Sequence, residues 1–202
     1  MRRGSHGDAF LKLLERIRRT IPGVAIRSSF IMGFPGETQR DFEELCAFVE
    51  AAKLDRVGVF SYSDEDTSGS YQLDGKVDAR TIYNRKRKLM AVQRKIARKN
   101  NRPLVGREFD VLIEGRSKET DLLWEARLGT QAPEIDGVCY INDDGGYPVN
   151  AGEMRRIRVT EAHDYDLVAS IIDAPEASWP QLTPPLFPIL PDRNTLGISR
   201  GR

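Results

Sequence analysis

Four sets of residues have the types and spacing for chemistry: a turn carrying a carboxylate, two cysteines, two histidines and a run of bases. The turn is Gly33-Phe34-Pro35-Gly36-Glu37-Thr38. Its two glycines bracket Phe34-Pro35, so the backbone bends where a Cβ would clash. It follows an apolar run at 26–32, and ligand groups in α/β barrels cluster at the C-terminal ends of strands. The candidate binding edges are therefore 29–36 and, after a second strand, 60–63. Glu37 suits the positive end of the helix that begins beside it. Cys46 and Cys139 are far apart in sequence and each sits in an apolar pattern. They read as buried free thiols of a reducing cytosol, and two isolated thiols do not make a three-thiolate cluster site. His6 and His163 have no metal-ligand spacing and read as surface histidines.

The elements that must position the turn are α/β, followed by all-β. Residues 8–21 predict an amphipathic helix with Phe10, Leu14, Ile17 and Ile21 inward, stopped by Pro22-Gly23. Residues 26–32 predict a largely buried strand. Thr38, with Asp41 three positions on, predicts a capping-box-like helix start, and Phe42, Leu45, Cys46 and Val49 share one face. A strand at 56–61 completes a βαβ unit with parallel strands and a right-handed crossover. The polar loop 62–78 is long enough to be functional or mobile. A long helix follows at 79–101, with Ile82, Leu89, Val92 and Ile96 apolar. From Ala79 through Arg102 there are ten Lys and Arg and no acid.

After Pro103 the hydrophobic period changes to two. Candidate strands at 107–114, 122–128, 137–142, 154–160 and 165–172, with Asp and Gly turns between them, predict a small five-stranded barrel of the OB-like kind. Six prolines after Asp173 predict a disordered tail. The expected units are 1–102, 103–172 and 173–202. Two parallel strands and three helices do not close a barrel, so the first unit reads as the end of a larger (β/α) barrel, with further strands expected before Met1.

The net charge of +1 conceals a division. Residues 1–103 hold 21 Lys and Arg against 13 Asp and Glu, whereas 104–172 hold 7 against 14. A barrel that binds RNA should be basic; an acidic one suits a basic protein or is simply solubilising. No apolar run approaches the roughly 20 residues that span a bilayer, and the N-terminus lacks a signal-peptide core. The expected setting is cytoplasmic, with no membrane partner.

Three stretches carry a resemblance: Arg27-Ser28-Ser29-Phe30-Ile31-Met32-Gly33-Phe34-Pro35-Gly36-Glu37-Thr38, Leu54-Asp55-Arg56-Val57-Gly58-Val59-Phe60-Ser61-Tyr62-Ser63, and Val105-Gly106-Arg107-Glu108. Over about residues 1–172 the chain resembles the C-terminal half of the radical S-adenosylmethionine methylthiotransferases, whose small β-domain is called TRAM. Two further stretches, Ala132-Pro133-Glu134-Ile135-Asp136-Gly137-Val138-Cys139-Tyr140-Ile141-Asn142 and Ala162-His163-Asp164-Tyr165-Asp166-Leu167, resemble the RimO branch rather than the tRNA-modifying MiaB branch.

The resemblance implies an enzyme that methylthiolates the β-carbon of an aspartate in small-subunit ribosomal protein S-twelve. It implies S-adenosylmethionine and two iron–sulfur clusters in the complete enzyme. It also implies that Ser29, Ile31 and Gly33 lie along the adenosyl group, with Phe60 at the adenine and Arg27 and Glu37 as further candidates. Core packing is the competing account of Ile31 and Phe60, as turn geometry is of Gly33. The family's Cys-x-x-x-Cys-x-x-Cys motif is missing from these residues. The loop after Tyr62-Ser63 also lacks the family's usual Glu-Gly-Thr. This chain alone is therefore expected to hold no cluster and to be inactive. Glu134, Asp136, Asp164, Tyr165 and Asp166 are the expected surface for the basic protein. The bases of the long helix either approach ribosomal RNA, sit beside the acidic β-unit, or form an ordinary solvated face. A tRNA methylthiotransferase and a stand-alone module that binds a basic protein are the alternatives.

Overall fold

The computed structural model describes residues 7–172; His6 and the expected tail at 173–202 lie outside the described residues. The first unit comprises α1 (Gly7–Thr20), β1 (Arg27–Met32), α2 (Gln39–Ala52), β2 (Arg56–Ser61) and α3 (Ala79–Asn101). After a short 3-10 turn at Arg102–Leu104 come β3 (Glu108–Arg116), β4 (Trp124–Leu128), β5 (Cys139–Asp143), β6 (Met154–Ala162) and β7 (Leu167–Ile171). Among the described residues no helix is long and apolar enough to cross a membrane.

Local chemistry accounts for the helix starts. The Asp41 N–H donates to the Thr38 hydroxyl at 3.2 Å and the Thr38 N–H donates to the Asp41 carboxylate at 2.8 Å, the reciprocal pair of a capping box. Asp78 caps α3 by accepting the Thr81 N–H at 3.0 Å.

β1 and β2 pair in parallel, from Arg27 beside Arg56 to Met32 beside Ser61. One face of this sheet, with Phe30, Met32, Val57 and Val59, packs on α2 and α3 around Phe42, Val49 and Leu89. The other face is open. Arg27, Ser29 and Ile31 of β1 and Phe60 of β2 are exposed. The expectation of a largely buried β1 is thus corrected. The helices supply one covering layer, whereas a buried parallel sheet needs two. The inward face expected for α1 is corrected as well: Phe10 and Ile21 are exposed, Leu14 and Ile17 only half-buried, and no α1 residue is fully buried.

The five strands of the second unit form a closed barrel in the order β3-β4-β5-β7-β6. β6 pairs back onto β3, and the β5–β7 pair is parallel. Each strand end lies within two residues of its expected bound: β4, β5 and β7 begin two residues late, which leaves Leu122 before β4 and 85% exposed. Val111, Ile113, Ala126, Cys139, Ile141, Ile157, Val159 and Ala169 form the barrel core. Along β6 the alternation is direct: Arg155, Ile157 and Val159 are buried, while Arg156 and Arg158 are exposed. The buried Arg155 guanidinium lies over the Tyr147 ring at 5.9 Å.

Candidate functional site

The turn after β1 requires glycine twice over. Gly33 has a φ of 87°, and a Cβ there would collide with the Ile82 side chain of α3. The Gly33 N–H donates to the Glu37 carboxylate at 2.8 Å, and the other Glu37 oxygen pairs with Arg85 at 2.7 Å. Arg85 also donates to the Glu37 carbonyl at 3.2 Å and lies over the Phe42 ring. Both side chains of the pair are nearly buried. Glu37 therefore locks the turn onto α3.

The loop 62–78 folds back on this turn. The Gly36 N–H donates to the Gly75 carbonyl at 2.9 Å, and Phe34 meets the Tyr62 ring edge-on at 5.6 Å. The loop packs around Lys76, whose ammonium contacts the Asp64 carboxylate at 2.6 and 2.8 Å, donates to the Tyr71 carbonyl at 2.9 Å and lies over the Tyr71 ring at 5.3 Å. The Lys76 hydrogen bond holds the Asp64 carboxyl below the usual carboxylate range.

Ser29, Ile31 and Phe60 come together on the open face, with Gly58 between them. A Cβ on Gly58 would approach the Phe60 ring to 3.1 Å and the Ser29 Oγ to 3.3 Å, so its absence leaves a shallow cradle. Ile31 pairs with Phe60 in register, and Gly33 ends the same edge. The other two predicted cofactor residues stand apart. Arg27 is the first residue of β1, roughly 20 Å along the strand from the turn, and Glu37 is engaged with Arg85. The cradle, apolar at Ile31 and Phe60 with one hydroxyl, fits an adenosyl group. The donor set does not fit an iron–sulfur cluster: Cys46 is half-buried on α2, and Cys139 is sealed in the barrel core, where burial pushes its thiol up to about 12. The described residues hold no group of three or more His, Cys, Asp or Glu able to bind a metal ion.

Two of the acids expected to meet a partner, Asp136 and Asp164, pair with bases of the first unit. Asp136 sits between Arg27 and Arg56, pairing with the first directly and with Arg56 Nε at 3.5 Å. Its second oxygen accepts the Ala132 N–H at 2.7 Å. Gln131 holds the same loop by accepting the Leu128 N–H at 2.8 Å and donating to the Gly137 carbonyl at 2.5 Å. A Cβ on Gly137 would collide with the Tyr165 carbonyl, so that crossing admits only glycine. Asp164 pairs with Arg98 at 2.6 Å and Arg94 at 3.7 Å, and the Arg98 hydrogen bond keeps its carboxyl below the usual range. Asp166 accepts the Val138 N–H at 2.8 Å, and Tyr165 is half-buried. Asp136 and Asp164 are engaged inside the molecule because bases of β1, β2 and α3 stand beside them, whereas Asp166 is held by its own barrel. Of the predicted set only Glu134 remains exposed, next to a 74% exposed Ile135. The C-terminal part of the basic helix accordingly sits beside the acidic β-unit.

Three residues bind the molecule together in a role not expected from the sequence: Arg85, read there as one of the helix bases, Asn101, read as part of the helix stop, and Gln93. Gln93 donates to the Leu54 carbonyl at 3.0 Å, and Asn101 donates to the His163 and Asp164 carbonyls at 3.2 and 3.3 Å. With Leu89 and Ala97 they form a four-residue repeat down the buried side of α3. That spacing is the signal that could have found them.

Residues 105–172 match the TRAM domain family. The chain is 70% identical over 182 residues to the ribosomal protein uS12 methylthiotransferase RimO of Solibacter usitatus, covering 90% of this chain and 39% of that protein. It is 55% identical over 173 residues to the RimO of Koribacter versatilis, covering 85% of this chain and 34% of the relative. It is 47% identical over 185 residues to that of Sorangium cellulosum, covering 92% and 37%. The chain thus spans between 34% and 39% of the length of these curated relatives. Over that shared portion it is similar to the RimO methylthiotransferases, and its β-barrel matches the TRAM domain family.

Proposed function

We propose that this chain is the part of a ribosomal protein uS12 methylthiotransferase that supplies one wall of a radical S-adenosylmethionine barrel together with the TRAM domain. The observation that carries this reading is the open β1–β2 face in a chain 70% identical to such a protein. Ile31 and Phe60 offer an apolar surface to an adenine, the Ser29 hydroxyl a polar handle, and the Gly33 turn a backbone edge free of side chain. The Glu37–Arg85 pair keeps that edge in place by tying the turn to α3. Bound S-adenosylmethionine, with a radical-generating cluster and a second, sulfur-donating one, would supply the chemistry that adds a methylthio group to an aspartate β-carbon. Cys46 and Cys139 do not serve as cluster ligands, so these would come from the portion of such an enzyme that the chain does not span. The exposed Glu134 and Ile135 and the acidic excess of the barrel suit a basic substrate protein.

The test joins this chain to the portion of the Solibacter usitatus relative that it lacks. The chimera is incubated anaerobically with uS12, S-adenosylmethionine and a reductant, and the aspartate-bearing peptide is read by mass spectrometry. Methylthiolated uS12, with Phe60→Ser reducing the yield at least tenfold and a tRNA substrate untouched, is the expected outcome. Modification of the tRNA, or a chimera silent on uS12 while the intact relative is active, would overturn the reading.

A further inference from the structure

α3 has two unlike sides. Arg85, Leu89, Gln93, Ala97 and Asn101 are buried, whereas Arg80, Arg87, Lys88, Arg94, Lys95, Arg98 and Lys99 are exposed. A helix of 23 residues is about 35 Å long, so the exposed bases form an extended ridge. It carries no acid, and Arg94/Arg98 and Lys95/Lys99 place like charges four residues apart, an arrangement that weakens a helix in isolation. Only the far end is neutralised, where Arg94 and Arg98 meet Asp164. Among the described residues Arg80, Arg87, Lys88, Lys95 and Lys99 make no ion pair.

Two features beside the free bases make the ridge more than a solvated face. Tyr83 is 60% exposed, and the Arg87 guanidinium lies over its ring at 5.7 Å. The groove between α3 and α2 adds the neutral side chains of Gln39, Thr81 and Asn84 beside Arg87 and Lys88. Across the groove Glu44 is paired with Arg40, and Glu43 accepts a hydrogen bond from Gln39.

We infer that this ridge binds the phosphate backbone of RNA. Spaced bases neutralise phosphates and release counterions. An exposed ring offers a base a stacking surface, and neutral donors reach phosphate oxygens without adding charge. Unpaired bases spaced along about 35 Å of helix, with no acid among them, match the regular charge of a phosphate backbone. The inference adds a second partner to the proposed function. Only the identification of that RNA as ribosomal rests on the uS12 reading; the surface itself does not.

The full chain is titrated with a fluorescein-labelled RNA hairpin over a series of KCl concentrations. Five free bases predict a log K against log salt slope of about −4. The variant Arg87→Gln/Lys88→Gln/Lys95→Gln should flatten that slope by about 3 and weaken low-salt binding by roughly 10- to 100-fold. Its circular dichroism and unfolding midpoint should be unchanged, since glutamine is a good helix former. Arg156→Gln/Arg158→Gln on the outer face of β6 should bind as the parent does, and Tyr83→Ala should weaken binding without changing the slope. An unchanged slope in the triple variant, dependence on the β6 pair instead, or equal competition from an acidic protein of matched charge would overturn the proposal. Methylthiolation of free uS12 by the chimera, with no RNA present, keeps failure here separate from failure of the catalytic reading.

Discussion

The two sheets of this molecule solve the same problem in opposite ways. The five strands of the TRAM barrel pair all the way round, so each inward residue meets another and no edge is left. Ile113, Ile157, Ala126 and Ala169 have no exposed surface at all. β1 and β2 have one covered face and one bare one, and Ile31 and Phe60, 48% and 58% exposed, are directly paired on it. An apolar pair left in water is a cost for a folded unit but an opportunity for binding. The barrel is therefore closed on itself, whereas the sheet keeps one face bare.

The contrast breaks most visibly if the units are separated. Residues 104–172 expressed alone should unfold in one cooperative thermal transition, whereas 7–103 should show none; a cooperative, monomeric 7–103 would remove the contrast. Next comes Ile157→Ala in the barrel core, which should lose about 3 kcal/mol in denaturant titration, since a buried truncation leaves a cavity. Phe60→Ser on the open face should stay within about 0.5 kcal/mol, because that ring is 58% exposed.

The latch between the units comes third. Asp136→Ala leaves Arg27 and Arg56 without their carboxylate and should cost about 1–3 kcal/mol. It should also separate the unfolding of the two units when near-ultraviolet and far-ultraviolet signals are compared. The smallest effect belongs to Asp164, which is nearer the solvent. Asp164→Asn should cost under about 1 kcal/mol. Because the pairing lowers the folded-state pKa of Asp164 below the ordinary 3.8, its contribution is present above pH 3.8 and is lost as pH falls through the lowered value. Acid titration of the parent should thus loosen this contact, and the Asp164→Asn variant should lack that step.

The local features were legible in the sequence, and each depends on a few neighbouring residues. Gly33 and Gly36 announce the turn. Thr38 and Asp41 announce the start of α2. The period-two runs announce five strands, and alternation along 154–160 tells which side chains of β6 face inward. The grouping of Ser29, Ile31 and Phe60 rests on the family resemblance, and the pairing of the two strands brings them onto one face. What only the tertiary structure decided are the long-range electrostatic partners. Arg27 and Asp136 meet across 109 positions, and Arg98 and Asp164 across 66. The charge division between the units allows such pairing, but neither composition nor period names the partners, so the acids looked free for a partner protein. The roles of Arg85, Gln93 and Asn101 were hidden because a side chain's type does not say which way it points. Charge is a property of the residue, but whether that charge faces water, a partner or its own chain is set by where the fold places the opposite charge.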